Sequence, residues 1–196
     1  MPSHDSPPTQ GRPVRLTAVS DSSAVLAVTV IGDDRPGIIA ELTAALASVG
    51  GNLEDSTMTL LRGHFAMVVL VRTAAPHAAV EAALAPLAAS GELSVDVRAV
   101  ADRNGAGGVR HGRSFLLRVH GADRPGIVAS IARVVAAHEG NIVDLGTRLG
   151  PGLYILMAEV ELPETADPEG LRRDLSRVAA GLGVDCSLAD VDDDVF

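Results

Sequence analysis

The side chains best suited to chemistry in this sequence lie in a short stretch that occurs twice. The first copy reads Asp34-Arg35-Pro36-Gly37-Ile38, and the second reads Asp123-Arg124-Pro125-Gly126-Ile127. If a helix follows each copy, its unpaired amide groups and its positive end would attract a carboxylate or a phosphate. Aspartate could cap such a helix and proline suits its first turn. The glycine, which has no Cβ, lets a small ligand or another chain approach the backbone.

The two copies belong to a longer repeat. Residues 32–71 align with residues 121–160 without an insertion, and the same interval separates Asn52 from Asn141 and Asp55 from Asp144. Similarity at a fixed interval predicts a duplicated domain. A single copy could serve only to begin a helix. Two copies with matching downstream residues favour a module with a shared role.

Composition argues against several other kinds of chemistry. The net charge of −9 is unsuited to a nucleic-acid surface, and no Trp, one Tyr and three Phe leave no stacking platform for single strands. Cys186 is the only cysteine, so neither an internal disulfide nor a cysteine-based metal site can form. The six His residues lack metal-ligand spacing. We therefore expect no metal, no cofactor and no enzymatic activity.

Known catalytic signatures are missing as well. The repeated turn lacks the Lys-Ser/Thr pair of a phosphate-binding P-loop. No serine, cysteine or paired-carboxylate constellation is repeated or placed on a recognisable nucleophile turn.

Hydrophobic periodicity predicts the elements that position the two turns. An apolar, β-branched run over residues 24–31 predicts a buried strand before the first turn, and a helix over 36–49 follows it. Strands over 52–61 and 65–72 form a hairpin, and a helix over 76–90 precedes a strand over 93–100. The second half repeats this order, with strands over 114–120, 141–149, 153–162 and 184–191 and helices over 125–138 and 168–182. The order βαββαβ predicts an α+β, ferredoxin-like fold with an antiparallel sheet and both helices on one face.

The composition of the remaining segments completes the domain organisation. We expect a mobile N-terminal tail over 1–23, a glycine-rich linker over 102–112 and an acidic C-terminal tail over 192–196. The two domains then occupy residues 24–101 and 113–191. No secretory signal is recognisable and no apolar run approaches a membrane span of about 20 residues, so we expect a cytoplasmic protein.

Each half of the chain resembles an ACT domain, the small-molecule-sensing module of amino-acid metabolism. The resemblance rests on the strand, the Asp-Arg-Pro-Gly-Ile turn, the helix, and the Gly-Asn pairs at 51–52 and 140–141. Two such modules with little else resemble the glycine cleavage system transcriptional repressor family. Similar turns occur in the N-terminal module of formyltetrahydrofolate deformylase and in the paired C-terminal modules of nitrogen-regulatory uridylyltransferases. Neither catalytic domain is recognisable in this sequence.

This resemblance implies a site where a small amino acid, with glycine or serine as our guess, lies between the first turn of one module and a neighbouring module. Carried over to this sequence, the ligand contacts are Asp34, Arg35, Pro36, Gly37 and Ile38 with Asn52, and Asp123, Arg124, Pro125, Gly126 and Ile127 with Asn141. Amides around Gly37 and Gly126 would hold the carboxylate, and Asp34 or Asn52, or their counterparts, would meet the ammonium group. Two alternatives stay open: each asparagine could be a left-handed turn residue, and each arginine a solvated side chain.

The resemblance further implies a regulatory protein of amino-acid or one-carbon metabolism. An acidic chain is unsuited to reading DNA directly, so regulation would act through a protein partner. We expect the two modules to pair within the chain, and a homodimer is compatible with this arrangement. Two alternatives remain: a ligand-free ACT scaffold that docks on a metabolic enzyme, and a regulatory subunit that assembles with a separate catalytic chain.

Overall fold

The structure, a computed structural model, describes residues 23–102 and 112–191 of the 196-residue chain. The chain divides into two compact units, called unit 1, which is described over residues 23–102, and unit 2, which is described over residues 112–191. The predicted N-terminal tail (1–23), linker (102–112) and C-terminal tail (192–196) lie outside the described residues, except for residues 23, 102 and 112.

Both units have the predicted order of elements. Unit 1 comprises β1 (Ala24–Asp33), α1 (Ile38–Ser48), β2 (Asn52–Leu61), β3 (His64–Thr73), α2 (His77–Ala88) and β4 (Leu93–Val100). Unit 2 comprises β5 (Gly112–Gly121), α3 (Ile127–Ala137), β6 (Asn141–Gly150), β7 (Leu153–Pro163), α4 (Pro168–Leu182) and β8 (Val184–Asp190). The sheet orders are β2-β3-β1-β4 and β6-β7-β5-β8, and the paired strands are antiparallel. This confirms the predicted pair of ferredoxin-like α+β domains.

One hydrophobic core in each unit lies between the sheet and its two helices. In unit 1, Leu26, Val28 and Val30 alternate along β1 and are buried, as the period of a strand requires. The helices contribute side chains three or four residues apart, which are Ile38, Leu42 and Leu46 of α1 and Val80, Leu84 and Leu87 of α2. Because both helices share this core with one face of the sheet, they lie on the same side of it. The core of unit 2 is built in the same way.

The starts of α1 and α3 differ from the prediction. Gly37 and Gly126 are the N-cap residues, with φ of 94° and 92°, so the helices begin at Ile38 and Ile127 and the prolines precede them. Within the described residues, no side chain caps either helix. The prediction that Asp34 caps α1 is therefore wrong, because the left-handed glycine moves the cap position three residues beyond the aspartate.

Candidate functional site

The first turn, residues 32–37, is held in place by its neighbours. The Asp34 amide donates a hydrogen bond of 3.0 Å to the carbonyl of Gly63 in the β2–β3 hairpin, and the Asp33 amide donates one of 3.1 Å to the carbonyl of Glu92. Gly32 packs so closely that an added Cβ would lie 2.0 Å from the Glu92 carbonyl oxygen. The position of the turn is thus fixed on both sides by main-chain contacts.

Glycine is required at the end of each turn for its backbone conformation. At φ of 94° and 92°, Gly37 and Gly126 adopt a conformation that L side chains rarely take. An added Cβ would meet only the Glu41 Oε1 atom, at 3.5 Å, beside Gly37 and no atom within 4 Å beside Gly126. Among the described residues, the space next to both glycines is therefore open, and no atom demands their small size.

The start of α1 has main-chain amides that lie outside its helical hydrogen bonds. The first helical bond runs from the Glu41 amide to the Gly37 carbonyl, at 2.9 Å. Among the described residues, no acceptor meets the amides of Ile38, Ile39 and Ala40. These are the orphan donors of a helix N-terminus, where the helix dipole favours a negative charge. The corresponding first bond of α3 runs from the Ser130 amide to the Gly126 carbonyl, also at 2.9 Å.

A cleft of about 440 Å³, called the first cleft, opens beside the first turn. Its lining residues from the turn and α1 are Asp34, Arg35, Gly37, Ile38, Ile39 and Ala40, and Met58 of β2 and Phe65 of β3 complete it. The strands supply an apolar wall, since Phe65 is buried and Met58 is partly exposed at the cleft. The first cleft therefore combines free amides and a carboxylate with a surface that would accommodate an apolar side chain.

Arg35 is not free at this site. Its guanidinium donates two hydrogen bonds to the Glu41 carboxylate, with Nη1–Oε1 and Nη2–Oε2 distances of 2.7 and 2.6 Å. The hydrogen bond lowers the pKa of Glu41 and raises that of Arg35. Arg35 thus stays at the surface, as the solvated alternative holds, and its guanidinium is engaged by Glu41.

The second turn, residues 121–126, differs at this point. The residue equivalent to Glu41 is Ser130, so the carboxylate partner is missing. Arg124 makes no ion pair within the part of the chain that the structure describes, and an added Cβ on Gly183 would lie 3.6 Å from its Nη2 atom. Within the described residues, Arg124 thus has no carboxylate partner near its turn, whereas the guanidinium of Arg35 is paired with Glu41.

The two asparagines lie away from the turns of their own units. Asn52 is the first residue of β2 and pairs with Arg72, whereas the first turn contacts the opposite end of β2 and β3 at the hairpin. Ten residues of strand span about 30 Å, so Asn52 and Gly37 cannot share a ligand within unit 1. Asn141 occupies the same position in β6. The left-handed turn alternative is also wrong, because the non-glycine residues with positive φ among those described are Arg62 and Glu139.

Sequence reasoning found the turns and missed the walls of the first cleft. Five predicted residues belong to one turn, and four of them, Asp34, Arg35, Gly37 and Ile38, line the cleft. Met58 and Phe65 were not identified, because the hairpin brings them to the cleft from far along the chain. Glu41 was not identified as the partner of Arg35. The sequence feature that could have revealed Met58 and Phe65 is the alternation of side chains along the hairpin strands, which places both residues on the face that carries the helices.

Other kinds of site find no support in the described residues. Across residues 23–102 and 112–191, no group of three or more His, Cys, Asp or Glu side chains is arranged to hold a metal ion. In the same ranges, none of the helices has both the length and the apolar character needed to cross a membrane.

The fold and the paired turns define the class of protein. Residues 24–98 and 113–189 match the ACT domain family, and the chain belongs to that family. It is 27% identical over 146 residues to the glycine cleavage system transcriptional repressor of Escherichia coli, covering 74% of this chain and 75% of the repressor. This confirms the predicted resemblance of the tandem modules.

Two further proteins are similar to this chain. A UPF0237 protein of Methanopyrus kandleri is 46% identical over 71 residues, which are 36% of this chain and 79% of that protein. The crystal structure of an unknown protein from Galdieria sulphuraria has a TM-score of 0.70 and 31% identity, covering 87% of this chain and 99% of that one. The similarity to this solved structure therefore covers both ACT domains of the chain.

Proposed function

We propose that this ACT domain protein is a non-enzymatic sensor that binds a small amino acid at its strand–helix turns and regulates amino-acid or one-carbon metabolism through a protein partner. The observation that carries the proposal is the first turn, where unpaired amides adjoin an open cleft. Membership of the ACT family supports a regulatory role. The name of the Escherichia coli relative, a transcriptional repressor, supports the same class of role.

The chemistry of the first cleft suits the two charged groups of an amino acid. The amides of Ile38, Ile39 and Ala40 and the positive end of α1 would hold the carboxylate. The Asp34 carboxylate lines the same cleft and would pair with the ammonium group. Because Glu41 occupies Arg35, carboxylate binding depends on the amides rather than on the guanidinium.

The pairing of modules is part of the proposal. Asn52 lies about 30 Å along the strands from the first turn, so it could meet a ligand only at the turn of a different module. The same reasoning applies to Asn141. A ligand that joins the turn of one module to the asparagine of another would stabilise their pairing, and a partner protein could respond to that change.

Direct DNA reading is not part of the proposal. The formal charge of −9 would repel the phosphate backbone. A protein partner, such as a DNA-binding protein or a metabolic enzyme, would therefore transmit the ligand signal.

Calorimetry with the full chain tests the proposal. Each of the common amino acids, glycine and serine first, is titrated at millimolar concentration, with thermal unfolding measured in parallel. A ligand at ten times its dissociation constant should stabilise its unit by about 1.4 kcal/mol. No heat from any amino acid, together with no thermal shift, would refute the sensing function.

Blocking variants locate the binding. Ala40 is exposed on α1 and lines the first cleft, so Ala40→Phe should fill it, and Ala129→Phe should fill the equivalent space of unit 2. Ala47→Phe and Ala136→Phe are matched controls, because both residues are exposed on the same helices and lie about two turns away from these positions. We expect binding to survive in the controls and to disappear when both turns are blocked.

A second candidate function is a ligand-free scaffold. The exposed apolar side chains of the edge strands, which include Leu60 of β2 and Leu145 and Leu149 of β6, favour it because they offer a surface for another protein. Capture of a metabolic enzyme by the full chain, unchanged by any amino acid and by both blocking variants, would support the scaffold.

A further inference from the structure

The wall of the first cleft is apolar, and its counterpart in unit 2 is polar. Strand pairing places Phe65 opposite Gly32 and Tyr154 opposite Gly121, so these two aromatic residues occupy equivalent positions. Met58 pairs with Met67, and its counterpart Thr147 pairs with Leu156 at the same place in the other sheet. Unit 2 therefore carries two hydroxyl groups where unit 1 carries a phenyl ring and a thioether.

Tyr154 carries a hydroxyl group that interacts electrostatically with the second turn. It is half-buried and packs against the core of unit 2. Burial and, to a lesser degree, the negative charge of Asp123 raise its pKa. The hydroxyl therefore stays protonated at neutral pH, within electrostatic range of the Asp123 carboxylate, and remains a hydrogen-bond donor.

The two turns share the main-chain features that would hold the common groups of an amino acid, although only Arg35 has a carboxylate partner among the described residues. Both units have the sequence Asp-Arg-Pro-Gly-Ile, a left-handed glycine, and a first helical bond of 2.9 Å. We expect the side chain of an amino acid held by these groups to lie against the wall residues of its unit. The two units thus match in the groups that would bind the main-chain atoms of an amino acid. They differ in the residues that would contact its side chain.

We propose that the two turns select different amino acids, a neutral one with an aliphatic side chain at the first turn and a small one with a hydroxyl group at the second. The inference rests on the proposed function and names the ligand class of each turn. At the first cleft, Phe65 and Met58 offer no strong hydrogen-bonding group, so a ligand hydroxyl placed there would lose its bonds to water. At the second turn, Thr147 and Tyr154 can replace those bonds, whereas an aliphatic side chain would leave them unpaired.

Valine and serine are the probes, because both are zwitterions of similar length. Each is titrated into the full chain carrying one blocking variant, so that a single turn is read at a time. With Ala129→Phe, valine should bind at the first turn about 10-fold more tightly than serine. With Ala40→Phe, serine should bind at the second turn about 10-fold more tightly than valine.

Exchange of the walls gives the sharper test. In the Ala129→Phe chain, Met58→Thr combined with Phe65→Tyr should reverse the preference from valine to serine. Met58 is 45% exposed, so the Met58→Thr variant should fold even if the added hydroxyl of Phe65→Tyr prevents folding. Met58→Thr alone should reduce the ratio of valine affinity to serine affinity. Circular dichroism and thermal unfolding establish which variants are folded.

The outcomes separate this inference from the function on which it rests. Binding of both amino acids with the same order of affinity at the two turns would overturn the inference and leave the sensor intact. An order that Met58→Thr does not change would overturn it as well. Failure of every common amino acid to bind the unmodified chain would overturn the proposed function itself.

Discussion

Replacing Gly37 or Gly126 by alanine tests whether the turns require a left-handed residue. Both glycines have φ above 90°, and an added Cβ would meet no atom closer than 3.5 Å. The cost of alanine is therefore conformational rather than steric, about 1–2 kcal/mol for each substitution. For a unit of this size, each 1 kcal/mol lowers the melting temperature by about 4–8 °C. Calorimetric melting of each variant measures the change.

Gly181 supplies the matched control. It lies in α4 with no atom within 4 Å of an added Cβ, and its φ is not positive. Alanine there should raise the free energy of unfolding by up to about 1 kcal/mol, because glycine is a poor helix residue. If Gly37→Ala and Gly126→Ala also stabilise the protein, the turns can form without a left-handed residue and the reasoning is refuted. A sensor should in addition lose affinity for its amino acid in these two variants, whereas a scaffold should lose only stability.

Three further predictions concern single residues. Gly32→Ala should destabilise unit 1 by about 3 kcal/mol, since the new Cβ would lie 2.0 Å from the Glu92 carbonyl oxygen. Denaturant titrations measure the change, and an unchanged unfolding midpoint would contradict this close approach. The hydrogen bond from Arg35 lowers the pKa of Glu41 below 4.5, so its stabilising effect is present above that pH and is lost as the pH falls through the lower folded-state value. In unfolding titrations, the stability difference between the parent and Glu41→Gln should shrink on acidification, and a difference that does not vary with pH would contradict the ion pair. Burial raises the pKa of Cys186 to about 11, so iodoacetamide at pH 8 should alkylate it roughly 100-fold more slowly than an exposed thiol, and a rate equal to that of glutathione would argue against its burial.

The elements of the fold were predictable where turn signals are strong. The bounds of β2 and β4, Asn52–Leu61 and Leu93–Val100, agree with the prediction, and so do those of α4. Glycines precede both strands, and Asp167 caps α4 by accepting a hydrogen bond of 3.0 Å from the Glu169 amide. Local chemistry decides such ends, so local sequence reveals them.

The first turn shows where local reasoning fails. Asp34 and Pro36 favour a helix that begins at the proline, yet α1 begins at Ile38 because Gly37 takes a left-handed conformation. A glycine in the sequence permits a left-handed conformation but does not show that the conformation is adopted. The anchoring of Asp34 on the Gly63 carbonyl is a contact across the sheet, which fixes the course of the turn and lies beyond any local pattern.

The candidate site was predictable only in the part that a single segment of the chain supplies. The repeat located the turn, but Met58 and Phe65 reach the first cleft through the pairing of β2 and β3. Glu41 meets Arg35 across the bend at Gly37, outside the spacing of helical ion pairs. Asn52 shows the opposite relation between sequence and space. It is near Gly37 in the sequence, yet it lies about 30 Å away along the strands.

Unpaired helix amides do not by themselves identify a binding site in this protein. Within the described residues, α2 also begins without a side-chain cap, at Pro76, and it has no assigned role in binding. What distinguishes α1 is the combination of a left-handed glycine, a turn anchored on both sides, and a cleft that the unpaired amides adjoin. A turn that served only to begin a helix could use an aspartate cap, as α4 does. The two turns instead keep the same uncapped geometry while their walls differ, and that is what selection between ligands requires.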